Sequence, residues 1–352
     1  MKEYLLFLNQ TYIVEFINYF GYFFICVVTL FFIIKISHKI GLVDIPNNRS
    51  FHLKPTPSGG GIAIVLIILL SNYKYIEICP EFFIGGFLIA ILGLADDIKP
   101  LPVLPRLISQ IIVVFGIIYF LPTNQPIIGI PIQIIKVALF LAGVWFINIY
   151  NFMDGIDGLA GGYGNAASVG FLYCIQGNLI TVENWNIEIY HQIIYLTIAF
   201  LIFNWSPAKI FMGDTGSTFL GFTFFSLGAR ALIFGNYIIY SFLIIMSFFW
   251  IDATITLVRR FLRGEKIFKA HKEHAFHKAT ELFGHWKVAA FIILTTIFWL
   301  NPMAKYTINN VSNAPWLTIL AVLPVLFVIV LFNPGSPKES QYWIVKYLKL
   351  KK

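Results

Sequence analysis

Residues 132–158 read IQIIKVALFLAGVWFINIYNFMDGIDG. From Ile132 to Ile149 the stretch is apolar apart from Gln133, Lys136 and Asn148. That is close to the ~20 residues a helix needs to cross the hydrocarbon of a bilayer. It then changes abruptly to Asn151, Asp154 and Asp157, with a glycine behind each aspartate. Ten further apolar runs lie at 14–36, 60–72, 82–95, 104–121, 159–177, 189–204, 216–234, 237–258, 287–301 and 315–332. Together they predict an all-α polytopic membrane protein of about eleven transmembrane helices, in a single domain covering 1–352 and without an internal repeat. The first run is too long for a signal-peptide core and lacks an A-x-A-like site, so it reads as an anchor.

Composition agrees. Of 352 residues, 58% are hydrophobic and 12% charged, where a soluble domain carries ~25% charged residues. With a mean hydropathy of +0.79, too little polar surface remains to coat a globule in water. Disorder, a collagen-like rod and a disulfide scaffold are excluded on the same ground. Cys26, Cys79 and Cys174 are far apart and form no metal or redox spacing.

The net charge of +8 points to topology and not to nucleic acid. With eleven spans and the N-terminus outside, the inner loops and tail hold 20 of the 25 basic residues, leaving Lys2, Lys74, Lys136, Arg230 and Lys305 elsewhere. The N-terminus is therefore expected in the periplasm and the C-terminus in the cytoplasm. All seven aspartates (Asp44, Asp96, Asp97, Asp154, Asp157, Asp214, Asp252) fall on the inner side, whereas six of the ten glutamates fall outside. The cytoplasmic face is thus the candidate active face. The last fifteen residues, 338–352, are basic, with Trp343, Ile344, Tyr347 and Leu348 on one helical stripe, and read as an interfacial amphipathic tail.

Four constellations on that face carry chemistry. Asp96-Asp97 end the third run, where adjacent acids repel and call for a cation. Neighbours on an ideal helix point ~100° apart, so one of the two is expected to face a ligand. Asn148, Asn151, Asp154 and Asp157 end the fifth, with two Asp-Gly turns through which backbone amides can approach a ligand. Between the seventh and eighth runs, Asn204 and Phe211 lead to Gly213-Asp214-Thr215-Gly216-Ser217, where hydroxyls and free N–H groups of a helix start could meet phosphate. The last large inner loop carries Arg259, Arg260 and Arg263, then His271, His274 and His277, which share a face if the segment is helical. Without a cysteine and crowded by cations, that loop reads better as an anion contact than as a zinc site.

Together with Asp44…His52…Lys54-Pro55-Thr56-Pro57…Gly59-Gly60, these motifs resemble the polyprenyl-phosphate N-acetylhexosamine-1-phosphate transferases, bacterial glycosyltransferase family 4, of the O-antigen-initiating type. The resemblance covers about residues 35–290, in the family's order. It implies transfer of a HexNAc-1-phosphate, or a related N-acetylated amino or deoxyamino sugar-1-phosphate, from a UDP-sugar to undecaprenyl phosphate, with release of UMP. This would be the first membrane step of O-antigen or other envelope polysaccharide synthesis, in the bacterial inner (cytoplasmic) membrane.

The cofactor it implies is Mg²⁺, for which Mn²⁺ can substitute, with Asp214 as metal ligand. Asp96, Asp97 and Asp214 map to catalysis. Asn204, Phe211, Gly155 and Asp157 map to uridine binding, Lys54, His271 and His274 to diphosphate and sugar, and Asn148, Asn151 and Asp154 to further substrate contacts. The partners expected are undecaprenyl phosphate, a UDP-N-acetylhexosamine-type nucleotide and membrane lipids, without nucleic acid; a homodimer is left open. The His271-x-x-His274-x-x-His277 spacing departs from the family's tighter clusters, which leaves the sugar open and argues against a pentapeptide-bearing one.

Two readings of other classes stand beside it. A transporter or channel with a cytoplasmic-face carboxylate site would also place polar groups in a membrane protein, but the carboxylates sit in loops on one face and no paired halves are seen. A membrane scaffold would account for the basic loops but not for the Asp-Gly and Gly-Asp turns.

Overall fold

The computed structural model describes residues 2–46, 52–121, 129–176, 184–234, 238–265 and 271–337. The basic tail at 338–352 and the stretch Asn47–Ser50 of the first inner loop lie outside the described residues. The chain is almost entirely helical, and every one of the eleven apolar runs is occupied by helix. In chain order these are α1 (Lys2–Ile40), α2 (Gly61–Ser71), α3 (Pro80–Ile98), α4 (Val103–Tyr119), α5 (Ile132–Phe152), α6 (Leu159–Ile175), α7 (Asn184–Asn204) and α8 (Gly213–Phe234). They continue with α9 (Ile238–Ile245), α10 (Ser247–Leu262), α11 (Ala275–Phe283), α12 (His285–Thr295), α13 (Asn301–Asn309) and α14 (Ala314–Leu331).

Among the described residues, five helices are long and apolar enough to cross a membrane: Ile17–Ile40, Ile132–Phe152, Trp185–Asn204, His285–Asn309 and Val311–Leu331. The fourth joins α12 to α13 through a π-turn at Thr296–Leu300. The pair α9–α10 makes a sixth, bent by 67° at Met246. No proline or glycine lies at this bend. Instead Tyr163 Oη donates to Ile245 O at 2.7 Å, satisfying a carbonyl at the break, and its ring stacks on Phe249 at 4.0 Å.

Helix α8 is the hub. Phe219, Leu220, Phe222, Phe224 and Leu227 are all fully buried, so the helix is apolar around its whole circumference, as a helix in the middle of a bundle must be. Helices α2, α3 and α5 pack on it. Its start is seated by backbone pairing: Gly60 N and Gly61 N donate to Phe211 O and Met212 O, both at 2.9 Å, and Phe211 N donates to Pro57 O. A two-stranded antiparallel ribbon, β1 (Val43–Asp44) with β2 (Thr56–Pro57), brings the first inner loop to the same place.

Candidate active site

One end of the bundle opens into a polar cleft of about 770 Å³. Segments far apart in sequence line it: Asp44 and His52, then Asp96 and Asp97, Asp154 to Asp157, Asn204, Phe211 and Asp214, and finally His271, Lys272, His277 and His285.

The carboxylate wall is organised by helix ends. Gly213 adopts φ +77°, where an L side chain is strained, and a Cβ there would lie 2.6 Å from Asp97 Oδ2. This turn aims the first amides of α8 at Asp97. Asp97 Oδ1 accepts from Asp214 N at 2.7 Å, and Oδ2 accepts from Thr215 N at 3.1 Å and Thr215 Oγ1 at 2.6 Å. Asp97 therefore caps α8 from the end of α3, the favourable place for a carboxylate at a helix N-terminus. This corrects the expectation that the free N–H groups of α8 await a phosphate. Both Asp96 and Asp97 border the cleft, and both oxygens of each are engaged by donors of the protein. Asp97→Asn is expected to lower thermal stability by about 1–3 kcal/mol together with activity, because it leaves a buried amide facing another donor. A proton-transfer role alone would lower activity and leave the unfolding midpoint in place.

Asp96 Oδ1 accepts from Leu101 N at 2.5 Å, and its Oδ2 accepts from Arg106 Nη1, also at 2.5 Å. The same Arg106 nitrogen donates to Asp214 Oδ2 at 3.1 Å. Arg106, counted above as a topology charge, thus bridges two of the aspartates. Its sequence signal is weak: one arginine in the first turn of α4, ten residues after Asp96. Asn151 Nδ2 donates to Asp214 Oδ1 and to Ser217 Oγ, both at 2.9 Å, and so fixes the second oxygen of Asp214. Asn148, although on the same helix face, turns to Gln110, with Nδ2 to Oε1 at 2.6 Å, and does not line the cleft.

In the loop after α5, burial first, then the charges of Asp214, Asp97 and Asp157, raise the carboxyl of Asp154 well above the ordinary range. Among the described residues no donor reaches the Asp154 side chain. Asp157 goes the other way. Against a desolvation penalty, His285, Ala208 N and Ser206 hold its carboxyl below the ordinary value. His285 Nδ1 lies 3.2 Å from Asp157 N and 3.3 Å from Asp157 Oδ1. His285 was missed in the sequence because it stands outside the histidine cluster, at the start of α12. Asn204 is buried and knots two loops: its Oδ1 accepts from Gly158 N at 2.9 Å and its Nδ2 donates to Ile210 O at 2.8 Å. Phe211 packs against the edge of His52 at 5.0 Å, and His52 Nε2 lies 3.8 Å from Asp44 Oδ2. Lys54 is exposed and does not line the cleft.

The histidines do not share a helical face. Helix α11 begins only at Ala275, so His271 and His274 precede it and His277 alone is helical. His271 stacks on His274 at 4.9 Å, and His274 is buried against Asp252, Nδ1 to Oδ1 at 3.5 Å, off the cleft. His277 takes its place in the wall, with Nε2 where a side chain on Gly155 would stand, 2.5 Å from its Cβ position. Burial, followed by the charge of His274, lowers His271 to about 3 and His277 well below the usual value, so both rings are neutral at pH 7. Two loop cations are consumed internally: Arg260 and Arg263 each pair with Glu265 and Glu273 at 2.5–2.8 Å. Of the expected anion-binding loop, Lys272 is, among the described residues, the cationic side chain that lines the cleft.

The sequence pattern of glycosyl transferase family 4 matches residues 80–232, the span that holds Asp96, Asp97, Asp154, Asp157 and Asp214. The chain is 30% identical over 262 residues to a probable undecaprenyl-phosphate N-acetylglucosaminyl 1-phosphate transferase of Bacillus subtilis (strain 168), covering 69% of this chain and 71% of the relative. The chain belongs to glycosyl transferase family 4. Two other relatives of this family-4 chain carry matching names. A decaprenyl-phosphate N-acetylglucosaminephosphotransferase of Mycobacterium leprae (strain TN) is 26% identical, with 71% of this chain and 72% of the relative covered. An undecaprenyl-phosphate alpha-N-acetylglucosaminyl 1-phosphate transferase of Escherichia coli (strain K12) is 29% identical, with 55% and 56% covered. The family-4 chain is thus a multi-pass membrane transferase and not a transporter.

The residues of the cleft also suit the cation that the resemblance implies. Among the described residues no three His, Cys, Asp or Glu side chains converge as a metal cage. Mg²⁺ does not need one: it is commonly held by one or two carboxylates, with substrate phosphates and water completing its shell. Asp214, and Asp154 with its undonated oxygens, provide such a hard-oxygen pair.

Proposed function

We infer that the protein transfers a HexNAc-1-phosphate, or a related N-acetylated amino-sugar-1-phosphate, from a UDP-sugar to undecaprenyl phosphate and releases UMP. The observation that carries this reading is the convergence of five motif segments, from Asp44 to His285, on one polar cleft. The relatives support it, being named as transferases of N-acetylglucosamine phosphate to undecaprenyl or decaprenyl phosphate. The proposal includes eleven crossings with a periplasmic N-terminus, a cleft on the cytoplasmic side, residence in the bacterial inner membrane, and a role in starting O-antigen or another envelope polysaccharide.

In this scheme an oxygen of the lipid phosphate attacks the sugar-side phosphorus in line. A new P–O bond forms, the bond from that phosphorus to the bridging oxygen breaks, and UMP leaves with the electron pair. A phosphomonoester with a second pKa near ~6 is already mostly dianionic at neutral pH, so the chain need not supply an obligate base. Its task is to bring two anionic substrates together in a site of low dielectric. Arg106 supplies a fixed guanidinium beside Asp96 and Asp214, and Lys272 a second cation in the lining of the cleft. The neutral rings of His271 and His277 suit uncharged sugar groups better than phosphate. When bound by Asp214 and Asp154, Mg²⁺, or Mn²⁺ in its stead, would supply charge neutralisation on the phosphates.

Purified protein, undecaprenyl phosphate and Mg²⁺ assayed against a panel of UDP-sugars should release UMP with at least one UDP-HexNAc, and EDTA should stop the release. If no UDP-HexNAc yields UMP, the reading is wrong.

A further inference from the structure

Asp252 lies six residues into α10, is 2% exposed, and does not line the cleft. Nothing in the sequence beyond its position at the inner end of an apolar run marks it out. In the structure its oxygens are fully engaged. Oδ1 accepts from Ala275 N at 2.8 Å and from Thr256 Oγ1 at 3.1 Å, and Oδ2 accepts from Phe276 N at 3.1 Å. Ala275 and Phe276 are the first two residues of α11, whose amides have no partner within the helix. The residue in the capping position is His274, with extended backbone and no side-chain bond to α11. Histidine is not among the side chains that cap a helix well. The cap therefore comes from another helix, as a buried carboxylate on the N-terminal dipole.

This repeats the arrangement at the start of α8. There, Asp97 at the end of α3 holds the first amides of α8, whose first turn presents Asp214. Here, Asp252 in α10 holds the first amides of α11, whose first turn presents His277. His274 is clamped in the same grip, its ring between Asp252 and His271. Just upstream, Glu273 is tied to Arg260 and Arg263, and its carbonyl accepts from Gly335 N at 2.8 Å. With both ends of the turn held, His271, Lys272 and His277 have one way to face the cleft.

We propose that Asp252 is a positioning residue: by capping α11 from outside the cleft, it aims the His271–His277 segment at the nucleotide sugar and sets the affinity for that substrate. This rests on the transferase reading given above. The segment lines the cleft through His271, Lys272 and His277, on elements separate from those that carry Asp96 and Asp214, so its displacement should weaken donor binding and spare the phosphoryl-transfer step.

The test uses the full-length protein in detergent or nanodiscs, with the UDP-sugar that the wild type turns over. Asp252→Ala is expected to raise KM for the UDP-sugar tenfold or more and to change kcat less than threefold. Asp252→Asn, which keeps one acceptor, should fall between. In a double-mutant cycle with His277→Ala, the combined effect on KM should be clearly smaller than the product of the single effects, because both changes remove the same oriented group. An unchanged KM in either folded variant, or fully multiplicative effects, would overturn the proposal.

Amide hydrogen exchange gives a readout independent of activity. Exchange across 275–283 should rise at least tenfold in Asp252→Ala while that across 213–234 stays as in the wild type. Unaltered exchange in 275–283 refutes the cap. Should the wild type turn over no UDP-sugar at all, the transferase reading fails, and the exchange comparison still decides whether Asp252 holds α11. If Asp252→Ala does not fold, Asp252→Asn carries both measurements.

Discussion

Asp214→Asn should lower the rate of UMP release at saturating substrates by roughly 10²–10³-fold, the range that follows loss of one preorganised electrostatic contact with a transition state. The two oxygens of Asp214 are occupied by different donors, Asn151 Nδ2 on Oδ1 and Arg106 Nη1 on Oδ2. An amide in this position keeps one acceptor and turns its own NH₂ toward one of those donors. It also removes the negative charge that balances Arg106. The backbone amide of residue 214 still reaches Asp97, so α8 stays capped and the thermal unfolding midpoint should move little. The pair of results is diagnostic: activity lost with stability kept at Asp214, against both lost together at Asp97. Full activity in Asp214→Asn would remove Asp214 from the chemistry.

Gly61→Ala is expected to be among the most destabilising single-methyl changes in the protein, costing about 3 kcal/mol or more, at the upper end of what overpacking costs. A Cβ on Gly61 would lie 2.1 Å from Gly216 Cα and 2.4 Å from Gly216 N, with Met212 O at 3.0 Å. Two helix backbones meet there without side chains between them, so no rotamer change relieves the clash. Separating them would also break the Gly60–Phe211 and Gly61–Met212 hydrogen bonds and move Asp214 with the start of α8. Thermal unfolding in detergent checks this, with Gly116→Ala in α4 as the control. Nothing lies within 4 Å of the Cβ position of Gly116, and alanine in a helix interior should be neutral or stabilising by ~0.5–1 kcal/mol. A wild-type midpoint for Gly61→Ala would refute the close approach of α2 and α8.

The helices were legible because runs of apolar residues with polar breaks follow directly from bilayer thickness. The bend between α9 and α10 was not, since its cause is tertiary: a tyrosine hydroxyl from α6 takes up the carbonyl of Ile245, and the local sequence carries no proline or glycine at the break. At the site, the Asp-Gly and Gly-Asp pairs identified Asp154, Asp157 and Asp214 because glycine permits the tight turns, such as Gly158 and Gly213 at φ +77°, that set a carboxylate at a helix start. The roles divided in ways spacing does not encode. Asn148 and Asn151 are three residues apart on one face, yet one serves Gln110 and the other Asp214. His274 looked equivalent to His271 and His277, but the extended backbone at the head of α11 turns it inward. Arg106 looked like one more inner-loop cation until its guanidinium was found between Asp96 and Asp214.

The pairing of Arg260 and Arg263 with Glu265 and Glu273 bears on how substrate is captured. Two guanidiniums facing two carboxylates project almost no net field beyond a Debye length, ~8 Å at physiological ionic strength. Of the seven Lys and Arg residues between 259 and 278, these two are thereby balanced, and the other five leave the segment with a positive surplus. At contact range, Lys272 is, among the described residues, the cation of this loop that lines the cleft. An anionic ligand would be drawn to this loop by the surplus that the four paired residues leave, an attraction that added salt should weaken.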